Sequence, residues 1–169
     1  MSFNIAIDGP AGAGKSTIAK LAAKELGFIY VDTGAMYRTI ALGLLRKHTD
    51  CEDEGQLGQA LEEIQVEMAY EAGAQQMLLN GENVTGLIRT EEVSRMASIS
   101  SAKPAVREKL LLMQRSLAAS RDVIMDGRDI GTRILPQAQL KIYLTASTRA
   151  RAERRYLELR QKGEACSLE

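Results

Sequence analysis

Short apolar runs and stretches of helical periodicity alternate from the start of the chain. FNIAID (3–8) is an apolar run of strand length, and STIAKLAAKELG (16–27) places apolar residues at helical spacing before a glycine stop. FIYVD (28–32) reads as a second strand, and GAMYRTIALGLLRKH (34–48) returns to helical periodicity. Strand, glycine loop, helix, strand, helix is the order of a parallel α/β sheet, because helices carry the chain between neighbouring parallel strands.

The middle of the chain has a different rhythm. EGQLGQALEEI (54–64) is helical, whereas QVEMAY (65–70), QQMLLN (75–80) and ENVTG (82–86) are short strand-like runs. The separators AGA and NGE make these a small antiparallel sheet, with Asn80-Gly81 as a turn signal. TEEVSRMASISS (90–101), capped by Thr90, and PAVREKLLLMQRSLAAS (104–120), with Pro104 at its first position, predict two helices. DVIMD (122–126) and LKIYL (140–144) return as core strands, and RARAERRYLELRQKG (149–163) predicts an arginine-rich helix ending at Gly163. No repeat or low-complexity linker interrupts the pattern, so the stretch from about 50 to 100 reads as an insert in an α/β core.

Charge sharpens that division. Formal net charge is zero, yet eleven Asp/Glu and one Arg lie between Asp50 and Glu92, and thirteen Lys/Arg against six Asp/Glu lie between Arg107 and Lys162. Most of these residues serve solvated faces; the basic half is also where phosphate would be met. A balanced charge with no basic tract argues against a general nucleic-acid binder. No apolar run approaches membrane-span length and the N-terminus lacks signal-peptide character, so a cytoplasmic protein is expected. Cys51 and Cys166 are far apart and suit neither a disulfide framework nor a zinc site. The one histidine, His48, excludes sites needing two and reads as a surface residue at a helix end.

The chemistry begins at GPAGAGKST, Gly9, Pro10, Ala11, Gly12, Ala13, Gly14, Lys15, Ser16 and Thr17. Gly9-x-x-x-x-Gly14-Lys15-Ser16 is the phosphate-loop pattern, in its required context between a strand and a helix. Glycines let several N–H groups converge on one concave face, and the helix start adds its positive dipole end. Lys15 supplies a charge to the β- and γ-phosphates, and the Ser16 hydroxyl can ligate Mg²⁺. A turn that merely joined strand to helix would not need a lysine and a hydroxyl at this spacing. The pattern points to a nucleoside triphosphate; no Asn-Lys-x-Asp guanine-reading motif is present.

Two further motifs follow strands, where ligands collect in open α/β sheets. DTGAMYR (32–38) brings Asp32, Thr33 and Arg38; DGRD (126–129) brings Asp126, Arg128 and Asp129. Asp126 ends an apolar strand as a Walker-B acid does and would orient the magnesium shell through water. Asp32 ends a strand too, so spacing leaves both acids open for the metal, and strand-end capping is as good a role for Asp32.

GPAGAGKST, VDTGAMYR, GLIRTEEVSRMAS, VREKLLLMQR, MDGRDIGT and RRYLELRQKG, in this order across essentially the whole chain, resemble the bacterial-type cytidylate (CMP/dCMP) kinases. The resemblance implies a P-loop parallel sheet flanked by helices over 1–37 and 102–145. It implies a nucleoside-monophosphate-binding insert with a small antiparallel sheet over 38–101, and an incomplete lid helix over 146–169. It implies transfer of the γ-phosphate of Mg-ATP to CMP or dCMP by in-line attack. Lys15, Arg128 and the lid arginine Arg155 would be catalytic, with Arg151, Arg154 and Arg160 as further lid arginines. Arg38 and Arg128 would clamp the CMP phosphate, Thr33 would lie near the ribose, and Ser98, Arg107 and Asp129 would read cytosine; Arg89 is a weaker candidate. Cytosine fits such a set, since a carboxylate accepts from its N4 amine while an arginine and a hydroxyl donate to N3 and O2.

The partners so implied are CMP, dCMP and ATP, with Mg²⁺ as cofactor, and neither nucleic acid nor membrane; a complete chain is expected to be a monomer. Family members continue for several dozen residues past ACSLE. The alternative is therefore a nucleotide-binding fragment without turnover; another is a P-loop kinase for a different small acceptor.

Overall fold

The computed structural model describes residues 2–161; the expected stop at Gly163, and Cys166, lie outside the described residues. The chain forms β1 (Asn4–Asp8), α1 (Lys15–Leu26), β2 (Ile29–Asp32), α2 (Thr33–Arg46), α3 (Glu54–Glu63), β3 (Val66–Glu71), β4 (Ala74–Leu79) and β5 (Glu82–Asn83). It continues with α4 (Glu91–Ser100), α5 (Pro104–Ser120), β6 (Val123–Gly127), a π-helical turn (Ile130–Ile134), β7 (Leu140–Tyr143) and α6 (Thr148–Gln161). Two compact units result: Met1–Tyr30 with Arg121–Glu169, and Val31–Ser120.

The first unit is built on a sheet of order β2-β6-β1-β7, in which β1 runs parallel to both β6 and β7. In β1 Ile5, Ala6 and Ile7 are apolar and buried in succession, as in a parallel strand covered on both faces. Ile5, Ile7 and Ile124 form its core with Ala19 and Ala23 of α1. The helix turns its alanines inward, which brings its backbone close to the sheet, and leaves Ile18, Leu21 and Leu26 exposed. The sequence expectation of a core strand holds for β6, which is buried along Val123–Asp126, but not for β7. Among the described residues β7 is the edge of the sheet, pairing with β1 alone, and its Leu140, Ile142 and Tyr143 are exposed.

The second unit packs α2, through Met36, Ile40 and Leu44, among α3, α4, α5 and the antiparallel sheet β3-β4-β5. Ala72-Gly73 and Asn80-Gly81 join its strands as two-residue turns with positive φ at both positions (48° and 78°; 50° and 81°), the backbone of type I′ hairpins. Thr90 caps α4 by accepting from the Val93 N–H, as its sequence suggests. The end of α2 is fixed by His48, exposed and left-handed at φ 51°, with the Thr49 N–H closing on the Leu44 carbonyl.

Candidate nucleotide site

In the first unit the glycine loop leaves β1 and enters α1. Gly9, at φ 148°, allows an approach no other residue permits: a Cβ there would stand 2.0 Å from the Leu144 carbonyl oxygen. Gly12 and Gly14 are also left-handed, at φ 75° and 94°. Gly14 is the N-cap of α1 and has no side chain to close over the first N–H groups, and no acid lies in the first turn. A helix start of that kind offers its donors and dipole to an anion.

Cationic and acidic groups gather around this loop. The Lys15 ammonium donates to the Pro10 carbonyl at 2.9 Å. The Ser16 hydroxyl donates to Asp126 Oδ2 at 2.7 Å, and the Tyr30 hydroxyl reaches Oδ1 of the same carboxylate at 3.3 Å. Asp126 is buried, set at the end of β6 by its pairing with Ile7. From α6, Arg154 donates to the Gly12 carbonyl at 2.9 Å, and Arg151 packs so that a Cβ on Gly12 would lie 3.3 Å from its own. Arg155, one residue on, is exposed.

Among the described residues no three His, Cys, Asp or Glu side chains cluster as a metal cage. Magnesium does not require one: it is held by one or two protein oxygens, phosphate oxygens and water. A hydroxyl and a buried carboxylate brought together at the start of α1 fit that demand.

Gly127-Arg128-Asp129 follows β6. Arg128 is exposed and Asp129 half-buried, and the chain then winds into the π-helical turn. The carboxylate of Asp8, the last residue of β1, accepts from the Ile130 and Gly131 N–H groups at 2.7 and 2.8 Å.

In the second unit Asp32 is a hub. It caps α2 by accepting from the Ala35 N–H at 2.9 Å and takes guanidinium nitrogens of Arg38 (3.4 Å) and Arg89 (3.1 Å). The Gln75 side chain holds Asp32 in place, accepting from its N–H at 2.8 Å and donating to its carbonyl at 3.3 Å. Thr33 is buried at the start of α2. Arg107 donates to the Ser101 carbonyl at 3.2 Å, with its guanidinium 6.0 Å from the Tyr37 ring centre. Ser98 is exposed on α4 and donates to the Ser94 carbonyl.

The structure thus brings Lys15, Ser16 and Asp126 together around one loop, and Arg38 and Arg89 onto one carboxylate. Sequence reading missed Asp8, Tyr30 and Gln75. Asp8 carried a signal, an acid ending a buried apolar run directly before Gly9; Gln75, in a strand distant in sequence from Asp32, carried none.

A parallel sheet with a glycine phosphate loop at the end of its central strand, and a hydroxyl–carboxylate pair beside it, defines a P-loop α/β protein. The cytidylate kinase family profile matches residues 5–169. A cytidylate kinase of Caldicellulosiruptor saccharolyticus is 53% identical over 161 residues, 95% of this chain and 71% of that protein. One of Bacillus cytotoxicus is 48% identical over 167 residues, 99% of this chain and 74% of that protein. The chain belongs to the cytidylate kinase family, and is accordingly a nucleoside monophosphate kinase.

Proposed function

We propose that this chain, in the cytoplasm, transfers the γ-phosphoryl group of Mg-ATP to CMP or dCMP, giving ADP and CDP or dCDP, and that the complete chain is a monomer. The observation that carries the reading is the Ser16–Asp126 pair beside the glycine loop, in a chain of this family. A phosphate oxygen of the monophosphate forms the new bond to the γ-phosphorus as the bridging bond to the β-phosphate breaks. The attacking oxygen is already anionic, so alignment and charge neutralisation do the work, and the scarcity of histidine is no handicap.

The N–H groups of Gly9–Thr17 cradle the triphosphate. Lys15 exchanges its Pro10 carbonyl for phosphate oxygens. Ser16 and Asp126 would hold magnesium, the acid by way of water, and the ion's charge would offset that of the phosphates. The Asp126–Ser16 contact supports Asp126 for this role over Asp32, whose carboxylate is spent on capping and on two arginines. Arg38 and Arg128 clamp the monophosphate, as arginine forks suit phosphate oxygens. Thr33 lies by the ribose. Ser98 and Arg107 donate to cytosine, and Asp129 accepts from its amine. Arg154, already on the loop, neutralises ATP phosphates, and Arg155 acts on the moving group.

The test is ADP formation by the 169-residue chain with Mg-ATP and CMP, dCMP, UMP, AMP or no acceptor. Turnover dependent on CMP or dCMP supports the reading; preference for another acceptor, or none, sinks it.

A further inference from the structure

The first N–H groups of a helix lack partners within it, and an aspartate at the N-cap ordinarily folds back to satisfy them. The N-cap of the π-helical turn Ile130–Ile134 is Asp129, yet its side chain makes no capping bond. The cap comes instead from a neighbouring strand: both oxygens of Asp8 take the Ile130 and Gly131 N–H groups, at 2.7 and 2.8 Å. Asp8 is 9% exposed and Ile130 fully buried, so these bonds form away from water, where each weighs most. The turn itself is wound by the Leu135 N–H closing on the Ile130 carbonyl at 2.7 Å, a π-helical bond of a kind frequent at functional sites.

Asp8 also fixes the other end of the segment. Its backbone is the register partner of Gly127, the last residue of β6. Arg128 and Asp129 are therefore a two-residue bridge pinned on both sides by one residue, through the ladder at Gly127 and the carboxylate at Ile130 and Gly131. Lys141 and Asp8 lie beside Gly131, where a Cβ would meet them at 3.1 and 3.4 Å.

We propose that Asp8 is a positioning residue for base selection: by capping the π-helical turn in place of Asp129, it directs the Asp129 carboxylate to the cytosine amine rather than to the helix start. The inference rests on the cytosine-reading role given to Asp129 above. It concerns discrimination between pyrimidines, not the triphosphate, so its signature is a change in the CMP-to-UMP ratio of kcat/KM.

The experiment compares the unaltered chain, Asp8→Asn, Asp129→Ala and the double variant, with CMP and UMP as acceptors and ATP varied separately. Asn at position 8 keeps one acceptor and turns an amide N–H₂ against the second donor. Losing one buried hydrogen bond in this way is expected to lower the CMP-to-UMP ratio about tenfold, with KM for ATP within about twofold. The double variant should discriminate no worse than Asp129→Ala alone, because both changes remove one function. A merely structural role would lower use of CMP and UMP alike and add to the loss from Asp129→Ala. That result overturns the proposal, as does an unchanged ratio. Asp8→Ala serves if Asp8→Asn does not fold; if neither folds, by circular dichroism, Asp8 is a stabilising residue and the proposal fails. An unaltered chain that uses CMP with no preference over UMP sinks the cytosine reading itself. One that prefers CMP while Asp8→Asn keeps the preference sinks only the role of Asp8.

Discussion

The Ser16 hydroxyl donates to Asp126 at 2.7 Å, joining the first turn of α1 to the end of β6 inside one compact unit. On the proposed function this hydroxyl and acid share one task, holding the magnesium of the bound nucleotide. Ser16→Ala should therefore lower kcat about 100-fold, the scale of a lost transition-state contact, and raise the magnesium concentration needed for half-maximal rate. Asp126→Asn should move the same two quantities in the same direction. Rate measured against magnesium concentration decides it: a lower rate with an unchanged magnesium requirement would assign the pair to the fold alone.

Asp32 holds Arg38 and Arg89 while capping α2, so one carboxylate serves helix stability and guanidinium placement at once. Asp32→Asn keeps a capping oxygen but removes the charge that draws the two arginines. KM for CMP should rise about tenfold, equivalent to one charged hydrogen bond, with KM for ATP unmoved. Asp32→Ala should also destabilise the chain by about 1 kcal/mol through the lost cap. Arg38→Lys should not restore CMP affinity to Arg38→Ala, because an ammonium cannot reproduce a bidentate fork. Initial rates with each substrate varied in turn separate these effects.

Much of this was legible in the sequence for a physical reason: local features announce themselves locally. The glycine loop needs its residues adjacent to one another, and so do the Asn80-Gly81 hairpin and the Thr90 cap, and each stands where its letters put it. The parallel order follows from short apolar runs, residues 5–7 in β1 and 123–125 in β6 among them, that alternate with stretches of helical periodicity. What stayed hidden depends on distant pairings. LKIYL reads as a core strand because its composition cannot say whether a neighbour lies on both sides, and among the described residues β7 has one. The π-helical turn is invisible because Ile130–Ile134 has no period of its own and is held by Asp8, 122 residues earlier. Spacing left Asp32 and Asp126 equivalent; only the contacts of each separate a capping acid from one beside Ser16.

Cys51 is buried beside Met96, with the two sulfurs 3.6 Å apart, and burial pushes its thiol above the ordinary range, outweighing nearby Lys103. A raised thiol pKa means less thiolate at any given pH, and the thiolate is the nucleophile. In a Cys166→Ser background, labelling of Cys51 by a thiol reagent at pH 8 should be at least ~100-fold slower in the folded chain than in denaturant. Equal rates would mean that α4 does not cover this residue in solution.

Two glycines inside helices should respond in opposite ways to the same substitution. A methyl added at Gly58, in α3, would meet no atom within 4 Å, whereas one added at Gly43, in α2, would stand 2.8 Å from Ile64 Cδ1, 2.9 Å from its Cγ1 and 3.3 Å from Leu79 Cδ1. Replacing a helical glycine by alanine stabilises by about 1 kcal/mol through lost backbone freedom in the unfolded chain. At Gly58 nothing opposes that term, so Gly58→Ala should gain about 0.5–1 kcal/mol. At Gly43 the added methyl must displace Ile64, which is fully buried and is met at Cγ1 as well as at its tip, so rotation of the terminal methyl alone gives no relief. Overpacking of that kind costs about 1–3 kcal/mol and outweighs the propensity gain. Gly43→Ala should therefore lower the urea midpoint and Gly58→Ala raise it, at unchanged denaturant slope. Stabilisation at both positions would show that α2 stands farther from Ile64 and Leu79 than these distances require.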